Sequence, residues 1–286
     1  MKKTILITGT SGFIGKNLIK KIPEYYTPIE KNGKKIDLRN REKVLKMKKV
    51  NTVIHLAGKT PYSKKSSNNE IFENNVLGTL NILEYCIARK VEKLIFVSSY
   101  IYGNPKNNPI NENHVIQPHN TYAKSKYLSE ELCKNYAKKF GIKVIILRPF
   151  NLFGDLQKKD FLISNIINSI ENNKSIKIIN KNNERDYLLI DDFIDVILKM
   201  INYDCKFEIF NVGSGKSYSF NQIIQLFEIK SGKKIKRENK ISKKNNIAKI
   251  QADITKISKK IKWYPKHNFE EGIEEILIKK KLLFKK

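Results

Sequence analysis

The stretch Thr4-Ile5-Leu6-Ile7-Thr8-Gly9-Thr10-Ser11-Gly12-Phe13-Ile14-Gly15 decides the fold. Its first half is a short run of β-branched and aliphatic residues, the pattern of a strand buried on both faces. Glycines at 9, 12 and 15 then lead into a helical pattern carrying Leu18, Ile19 and Ile22. A tight turn needs the first glycine, close approach of backbone to a pyrophosphate the second, and packing of helix on strand the third. The helix amino terminus would turn the N–H groups around Ser11, Gly12, Phe13 and Ile14 toward phosphate. The stretch therefore predicts a nicotinamide dinucleotide cradle opening a doubly wound α/β domain.

Further short apolar runs repeat the pattern: Thr52-Val53-Ile54-His55-Leu56, Leu94-Ile95-Phe96-Val97-Ser98 and Val144-Ile145-Ile146-Leu147-Arg148. Between them, one helix is expected at about 70–88, with Phe72, Val76, Leu80, Leu83 and Ile87 on one face. Another is expected at about 122–140, with Leu128, Leu132 and Tyr136 aligned. No helix is evident between the second and third strands. After about residue 150 the pieces are mixed: helices near 160–170, at 191–200 from an Asp cap, and from Phe269, with strands near 175–180 and 207–212. Loops are expected at 103–114 and 238–246. The division this suggests is a dinucleotide domain over 1–155, rejoined by the strand near 207–212, and a smaller mixed lobe over 156–286.

Composition narrows the class. The chain has 286 residues, 40% of them hydrophobic, enough for a sizeable core. The apolar run at Ile5–Ile7 is too short for a signal peptide, and nothing approaches a membrane span. Cys86, Cys133 and Cys205 are too few and too scattered for a disulfide framework or a zinc site, so no metal is expected. A cytoplasmic protein follows. The formal charge of +28 would suit a nucleic-acid binder, but the lysines are spread through the chain and no nucleic-acid module is present. General lysine enrichment explains the charge, and nucleic acid is not an expected partner.

Several residues fall at strand ends, where ligands of such sheets bind. Asp37 could meet an adenine amino group, while Glu30 and Lys31 leave the choice between NAD and NADP open. Ala57 and Gly58 are small where a strand end passes a cofactor; His55 beside them reads as a packed core histidine. Tyr122-Ala123-Lys124-Ser125-Lys126 places a phenol and an ammonium one helical turn apart, just after Ser98-Ser99-Tyr100-Ile101-Tyr102-Gly103. A tyrosine titrates near about 10, and a neighbouring lysine lowers that value. Such a phenol can exchange a proton with a hydroxyl while hydride moves to or from a nicotinamide.

With these motifs assembled, the chain resembles the extended short-chain dehydrogenase/reductases, the NAD-dependent epimerases and dehydratases acting on nucleotide sugars. The resemblance spans Thr8 to Gly15, Asp37-Leu38, His55-Leu56-Ala57-Gly58, Asn75-Val76-Leu77-Gly78-Thr79, Ser98-Ser99, Tyr122 to Lys126 and Arg148-Pro149-Phe150-Asn151. It continues through Arg185-Asp186-Tyr187 before Asp191-Asp192 to Trp263-Tyr264-Pro265. It implies a Rossmann-type parallel sheet with a C-terminal substrate-binding lobe, and NAD or NADP as cofactor. By resemblance Tyr122 is the acid/base and Lys126 binds the nicotinamide ribose. Ser99 orients the reacting hydroxyl, with Ser98 as a substitute because one residue fewer than usual precedes Tyr102. Gly9, Ser11, Gly12, Phe13, Ile14, Asp37, Leu38, Leu56, Ala57, Gly58, Asn75, Val97 and Pro149 would line the cofactor. Lys59, Asn151 and Arg185 would contact a nucleotide sugar, Arg185 alternatively pairing with Asp191 or Asp192. Dehydratases carry an acidic pair where Tyr100 and Ile101 stand, so dehydration is not expected. What remains is C4 ketoreduction of a 4-keto-6-deoxy sugar, the alternative of 4-epimerisation, and a distant alternative of a non-catalytic dinucleotide sensor. Helices near 70–88 and 122–140 resemble those that pair in homodimers of this family.

Overall fold

The computed structural model describes residues 4–22, 27–28, 36–60, 66–240 and 247–284, with backbone alone at 27–28 and 239–240. The chain begins with β1 (Thr4–Thr8), α1 (Phe13–Lys21), β2 (Thr27–Pro28), α2 (Arg41–Leu45) and β3 (Thr52–His55). Next come α3 (Asn68–Phe72), a π-helical turn at Glu73–Leu77, α4 (Gly78–Ala88), β4 (Lys93–Val97), α5 (Thr121–Phe140) and β5 (Lys143–Pro149). Then follow β6 (Asn151–Phe153), α6 (Leu162–Asn172), β7 (Ile176–Ile179), β8 (Glu184–Leu189), α7 (Ile190–Asn202) and β9 (Phe207–Val212). The chain continues through β10 (Ser217–Ser219), α8 (Phe220–Ser231), β11 (Arg237–Lys240), β12 (Lys249–Ile250), α9 (Thr255–Ile261) and α10 (Phe269–Lys279).

Six strands form the main sheet in the order β2-β1-β3-β4-β5-β9. Pairing is parallel from β2 through β5, with Ile7 beside Ile54 and Ile54 beside Ile95. Every residue of β3 and β4 is buried, which is why these runs read as continuously apolar rather than alternating. Leu6, Val53, Leu94, Phe96, Val144 and Ile146 form one face, packed with Val44, Ile82, Leu83 and Cys133 from the helices. Ile7, Ile54, Ile95 and Ile145, on the other face, are equally excluded from water. The order of strands reverses between β1 and β3, so the crevice where ligands of such sheets bind opens at their carboxyl ends.

The chain divides into two compact units, both discontinuous: 1–104, 115–149 and 194–210 in the first; 105–114, 150–193 and 211–286 in the second. The boundary therefore differs from a simple cut at 155. The loop at 105–114 belongs with the second unit, where Ile110 bridges Ala252. That unit carries β8 flanked by β10 and β12 with β6 also on β8, and a separate parallel pair of β7 and β11. Its core gathers Phe153, Ile166, Ile170, Tyr187, Ile223, Phe227, Phe269 and Ile273.

Several local expectations change. A short helix, α2, does lie between β2 and β3, capped by the Asn40 side chain on the Lys43 N–H. Residues 238–240 of the expected loop belong to the strand β11, while 241–246 lie outside the described residues. Asp191 and Asp192 stand inside the first turn of α7 rather than capping it, where their charge still favours the helix dipole. The predicted apolar stripes of the long helices face inward only in part: Ile87, Leu132 and Tyr136 pack against the core from partly buried positions. Leu83 is fully buried, but Phe72, Leu128 and their neighbours are part-exposed, and the inward faces are Ile71, Asn75, Thr79 and Ile82, with Ser125, Lys126, Ser129 and Cys133. Close packing of α5 on α4 and the π turn requires small or hydrogen-bonded residues there, which displaces the large aliphatic ones outward.

Candidate active site

The glycine loop is held from below. Gly9 has φ +76°, and a Cβ there would stand 2.7 Å from the Ala57 nitrogen. A Cβ on Gly15 would stand 2.3 Å from the Gly9 carbonyl oxygen. At Gly12, which caps α1, no side chain satisfies the first N–H groups, so the helix start presents its donors and positive dipole end to the crevice. This fits a pyrophosphate. Ala57 is partly exposed and Gly58 exposed at the neighbouring strand end.

Beneath the loop runs a one-way chain of hydrogen bonds. The Ala57 N–H donates to Thr8 Oγ1 at 3.2 Å, and Thr8 Oγ1 lies 2.7 Å from His55 Nδ1. His55 Nε2 lies 3.1 Å from Thr79 Oγ1, which donates to the Asn75 carbonyl at 2.5 Å. Because the Thr79 hydroxyl spends its proton on Asn75, His55 must donate from Nε2 and accept at Nδ1. His55 is thus neutral, and burial followed by the Lys126 charge lowers its pKa to about 3. It is a satisfied core histidine linking the glycine loop to the floor of the site.

Asn75 sits in the π-helical turn, a geometry that recurs at functional sites. Its Oδ1 accepts the Lys59 N–H at 2.7 Å, and its Nδ2 donates to the Lys59 carbonyl at 3.1 Å and to Ser125 Oγ at 2.9 Å. Ser125 donates in turn to the Tyr122 carbonyl at 2.8 Å. One amide therefore fixes both the segment after β3 and the first turn of α5. That turn is started by Asn120, whose side chain accepts the Ala123 N–H.

Lys126 follows one turn after Tyr122 and is buried, its ammonium 4.3 Å from the centre of the Phe96 ring. Burial lowers its pKa from 10.5 to about 8, against opposing contributions from Glu130 and Cys133. A fall of that size corresponds to roughly 3 kcal/mol in favour of the neutral amine. Tyr122 and Ser99 are partly exposed, whereas Ser98 is buried with no hydrogen-bond partner for its hydroxyl among the described residues. Val97 and Pro149 are buried at the ends of β4 and β5.

The remaining expected residues have other partners in this structure. The Asp37 carboxylate is gripped by Arg39, Nη2 to Oδ2 at 2.7 Å, which holds it below the usual carboxylate range. Arg39 also reaches Glu73. Leu38 gives its carbonyl to Asn81 Nδ2, and Leu56 is half-buried. The Lys59 ammonium pairs with Glu70 at 3.1 Å, so the backbone of Lys59 and not its charge is tied into the site. Glu30 and Lys31 lie outside the described residues. In the second unit, Asn151 Nδ2 donates to the Asp186 carbonyl at 2.9 Å. Arg185 Nη1 donates to the Glu184 and Ile247 carbonyls, with the guanidinium 5.8 Å from the Phe220 ring centre. Asp192 accepts from the backbone of Lys266 and His267 and lies 3.1 Å from His267 Nδ1.

Sequence reasoning passed over Thr8, Thr79, Ser125, Tyr102, Glu130 and Arg148. Their signal was polarity inside otherwise apolar patterns: Arg148 closes a buried strand, and Glu130 repeats the spacing of Tyr122 and Lys126 along one helix face.

The chain is 34% identical to a UDP-glucuronate 4-epimerase of Thermodesulfobacterium geofontis, over 79% of this chain and 71% of that one. It is 27% identical to a dTDP-4-dehydro-6-deoxyglucose reductase of Escherichia coli, over 96% and 97%. The crystal structure of a UDP-glucose 4-epimerase from Thermotoga maritima, solved with UDP-glucose, superposes with a TM-score of 0.90 at 26% identity, covering 98% of this chain and 99% of that one. Residues 5–213 match the NAD dependent epimerase/dehydratase family. With its glycine cradle and Tyr122–Lys126 helix in place, the chain belongs to that family.

Proposed function

We propose that this chain is a nucleotide-sugar oxidoreductase of the cytoplasm that uses NAD or NADP to reduce a nucleoside-diphosphate 4-keto-6-deoxy sugar at C4. The observation that carries the reading is the Tyr122–Lys126 pair on a helix whose first turn is locked by Asn75 through Ser125. A bound nicotinamide would supply the hydride. Tyr122 holds the proton for the C4 oxygen, and Ser99, partly exposed, donates a hydrogen bond to that same oxygen. Lys126 holds the ribose, and the amides of Ser11, Gly12, Phe13 and Ile14 hold the pyrophosphate. Asp37 and Leu38 line the adenine end; Leu56, Ala57, Gly58, Val97 and Pro149 line the nicotinamide half. In the second unit, Asn151 and Arg185 contribute contacts to the nucleotide sugar, and the Lys59 side chain contributes once drawn from Glu70. Tyr100 and Ile101 after the serines carry no acid, and Ile101 is fully buried, so no group there serves elimination of water.

A second reading, 4-epimerisation, is favoured by the likeness to the two UDP-sugar 4-epimerases. The experiment that separates the two follows NAD(P)H absorbance and sugar configuration together. The expected result is one cofactor oxidised per 4-keto sugar reduced. Inversion at C4 without net oxidation would replace the reductase reading by the epimerase one.

We also propose a homodimer built on the outer faces of the π-helical turn and α5. Val76, Leu128 and Leu132 line a groove there, and Leu128 remains 40% exposed. Sedimentation should give twice the mass of 33.3 kDa, and Leu128→Glu should shift it to the monomer. A monomeric wild type would reject the interface.

A further inference from the structure

Glu130, Arg148 and Tyr102 form a buried triad that the steps above do not use. Arg148 Nε donates to both oxygens of Glu130, at 3.0 and 3.1 Å, and Nη2 adds a third bond at 2.6 Å. Arg148 Nη1 donates to Tyr102 Oη at 2.7 Å. The side chains of Glu130 and Arg148 are each only 2% exposed, and Tyr102 is 1% exposed. Isolated charges at such depth are costly, so a pair kept there needs close partners on every side. The three residues also come from three places that matter. Glu130 lies on α5 one turn beyond Lys126. Arg148 directly precedes Pro149. Tyr102 closes the segment that begins with Ser98-Ser99, a segment tied down again where Tyr100 Oη donates to the Gly103 carbonyl at 2.8 Å.

We propose that Glu130, Arg148 and Tyr102 are positioning residues, which together set the place of Lys126 on the catalytic helix and of the Ser99 segment against it. This rests on the roles given above to Lys126, Tyr122 and Ser99. Around the Lys126 ammonium stand His55 on β3, neutral; Phe96 on β4; and Glu130 and Cys133 on its own helix. Burial pushes the Cys133 thiol well above its usual range, so it carries no charge. Glu130 is then the one anion among these neighbours, and it opposes the desolvation that drives Lys126 toward neutrality. Arg148 pairs with Glu130 and fixes its carboxylate plane by a bidentate grip that lysine would not reproduce.

The test uses the intact protein and NADPH or NADH, whichever it binds, titrated by fluorescence across the alkaline range. Wild-type affinity should fall as pH rises through about 8, where Lys126 loses its proton. In Glu130→Gln the fall should begin about one pH unit lower, because the opposing anion is gone. Tyr102→Phe removes only a hydroxyl; it should keep cofactor affinity within about twofold and cut kcat about tenfold at unchanged KM. If Glu130→Gln does not fold, Tyr102→Phe alone decides. A wild-type pH profile in Glu130→Gln, or wild-type kcat in Tyr102→Phe, would overturn the proposal. Tyr122→Phe measured alongside keeps the two readings apart: loss of turnover there, with the triad variants normal, rejects the triad and leaves the catalytic assignment standing.

Discussion

Replacing Tyr122 by Phe is expected to lower turnover by roughly a hundred- to ten-thousandfold, the usual contribution of a positioned acid/base. Cofactor affinity should stay within about twofold. The substitution deletes one hydroxyl from a part-exposed ring in the first turn of α5, and the features that hold that turn are elsewhere. Asn120 caps it through the Ala123 N–H, and Ser125 bonds the Tyr122 carbonyl rather than its side chain. The fold and the cradle should therefore be indifferent to the change, so a fall in rate reports chemistry. Stopped-flow turnover with cofactor titration on the same preparation separates the two. Unchanged turnover would remove Tyr122 from the mechanism, and with it both the reductase and epimerase readings.

The site was more legible in the sequence than its support. Gly9, Gly12, Gly15, Tyr122 and Lys126 announce themselves because turn geometry, helix start and one-turn spacing each demand particular residue types at particular distances. Asn75 was different: as one polar residue within a helical pattern it meant nothing without a resemblance to promote it. Its role comes from a π-helical turn, and a 3.6-residue periodicity cannot foresee an extra residue in a turn. The pairing of Arg148 with Glu130 was hidden for a related reason. A buried ion pair between a strand end and a helix is a fact of tertiary packing, 18 residues apart in sequence, and the signal each residue carries does not name the other as its partner.

The helices show the same limit from the other side. Of the apolar stripe on α5, Leu132 and Tyr136 pack at the edge of the core, but Leu128 is exposed and the fully buried positions are Ala123, Ser125, Ser129 and Cys133. Periodicity ranks faces by hydrophobicity, whereas the approach of two backbones ranks them by size. Where small residues with satisfied hydroxyls line the contact, as Ser129 does by donating to the Asn75 and Ser125 carbonyls, packing wins. The strands raised no such conflict, since burial on both faces leaves only one way to read them. The discontinuity of the two units was legible only in part. The return of the strand near 207–212 could be seen, because an isolated apolar run late in the chain needs a sheet to join. The attachment of 105–114 to the second unit rests on a bridge between Ile110 and Ala252, which composition does not mark.

Gly9→Ala should have a large effect on cofactor binding, and a second glycine supplies the control. Gly9 and Gly141 have nearly equal backbone angles, φ +76° and +73°. Forcing an L-residue into that region costs about 1–2 kcal/mol at either site. Their surroundings differ. A Cβ on Gly141 meets nothing within 4 Å, whereas one on Gly9 meets the Ala57 nitrogen at 2.7 Å, the Ala57 Cα at 2.8 Å and the Leu56 carbonyl carbon at 2.9 Å. These are backbone atoms, so no side chain can rotate away, and relief requires the turn after β1 or the end of β3 to move. Overpacking of this kind adds about 1–3 kcal/mol. The two segments that would have to part are the walls of the crevice, joined by Thr8 Oγ1 and the Ala57 N–H. Gly141→Ala is therefore expected to lower Tm by a few degrees, roughly 2–4 °C per kcal/mol, with cofactor affinity unchanged. Gly9→Ala is expected to lower Tm by about twice as much and to weaken cofactor binding by at least about a hundredfold, a displacement of roughly 3 kcal/mol at the pyrophosphate. Calorimetry and fluorescence titration on the pair give both quantities. If Gly9→Ala binds cofactor as wild type does and loses no more stability than Gly141→Ala, the loop does not hold the dinucleotide in the manner described, because the strain would then be the whole effect and the close approach to Ala57 none of it.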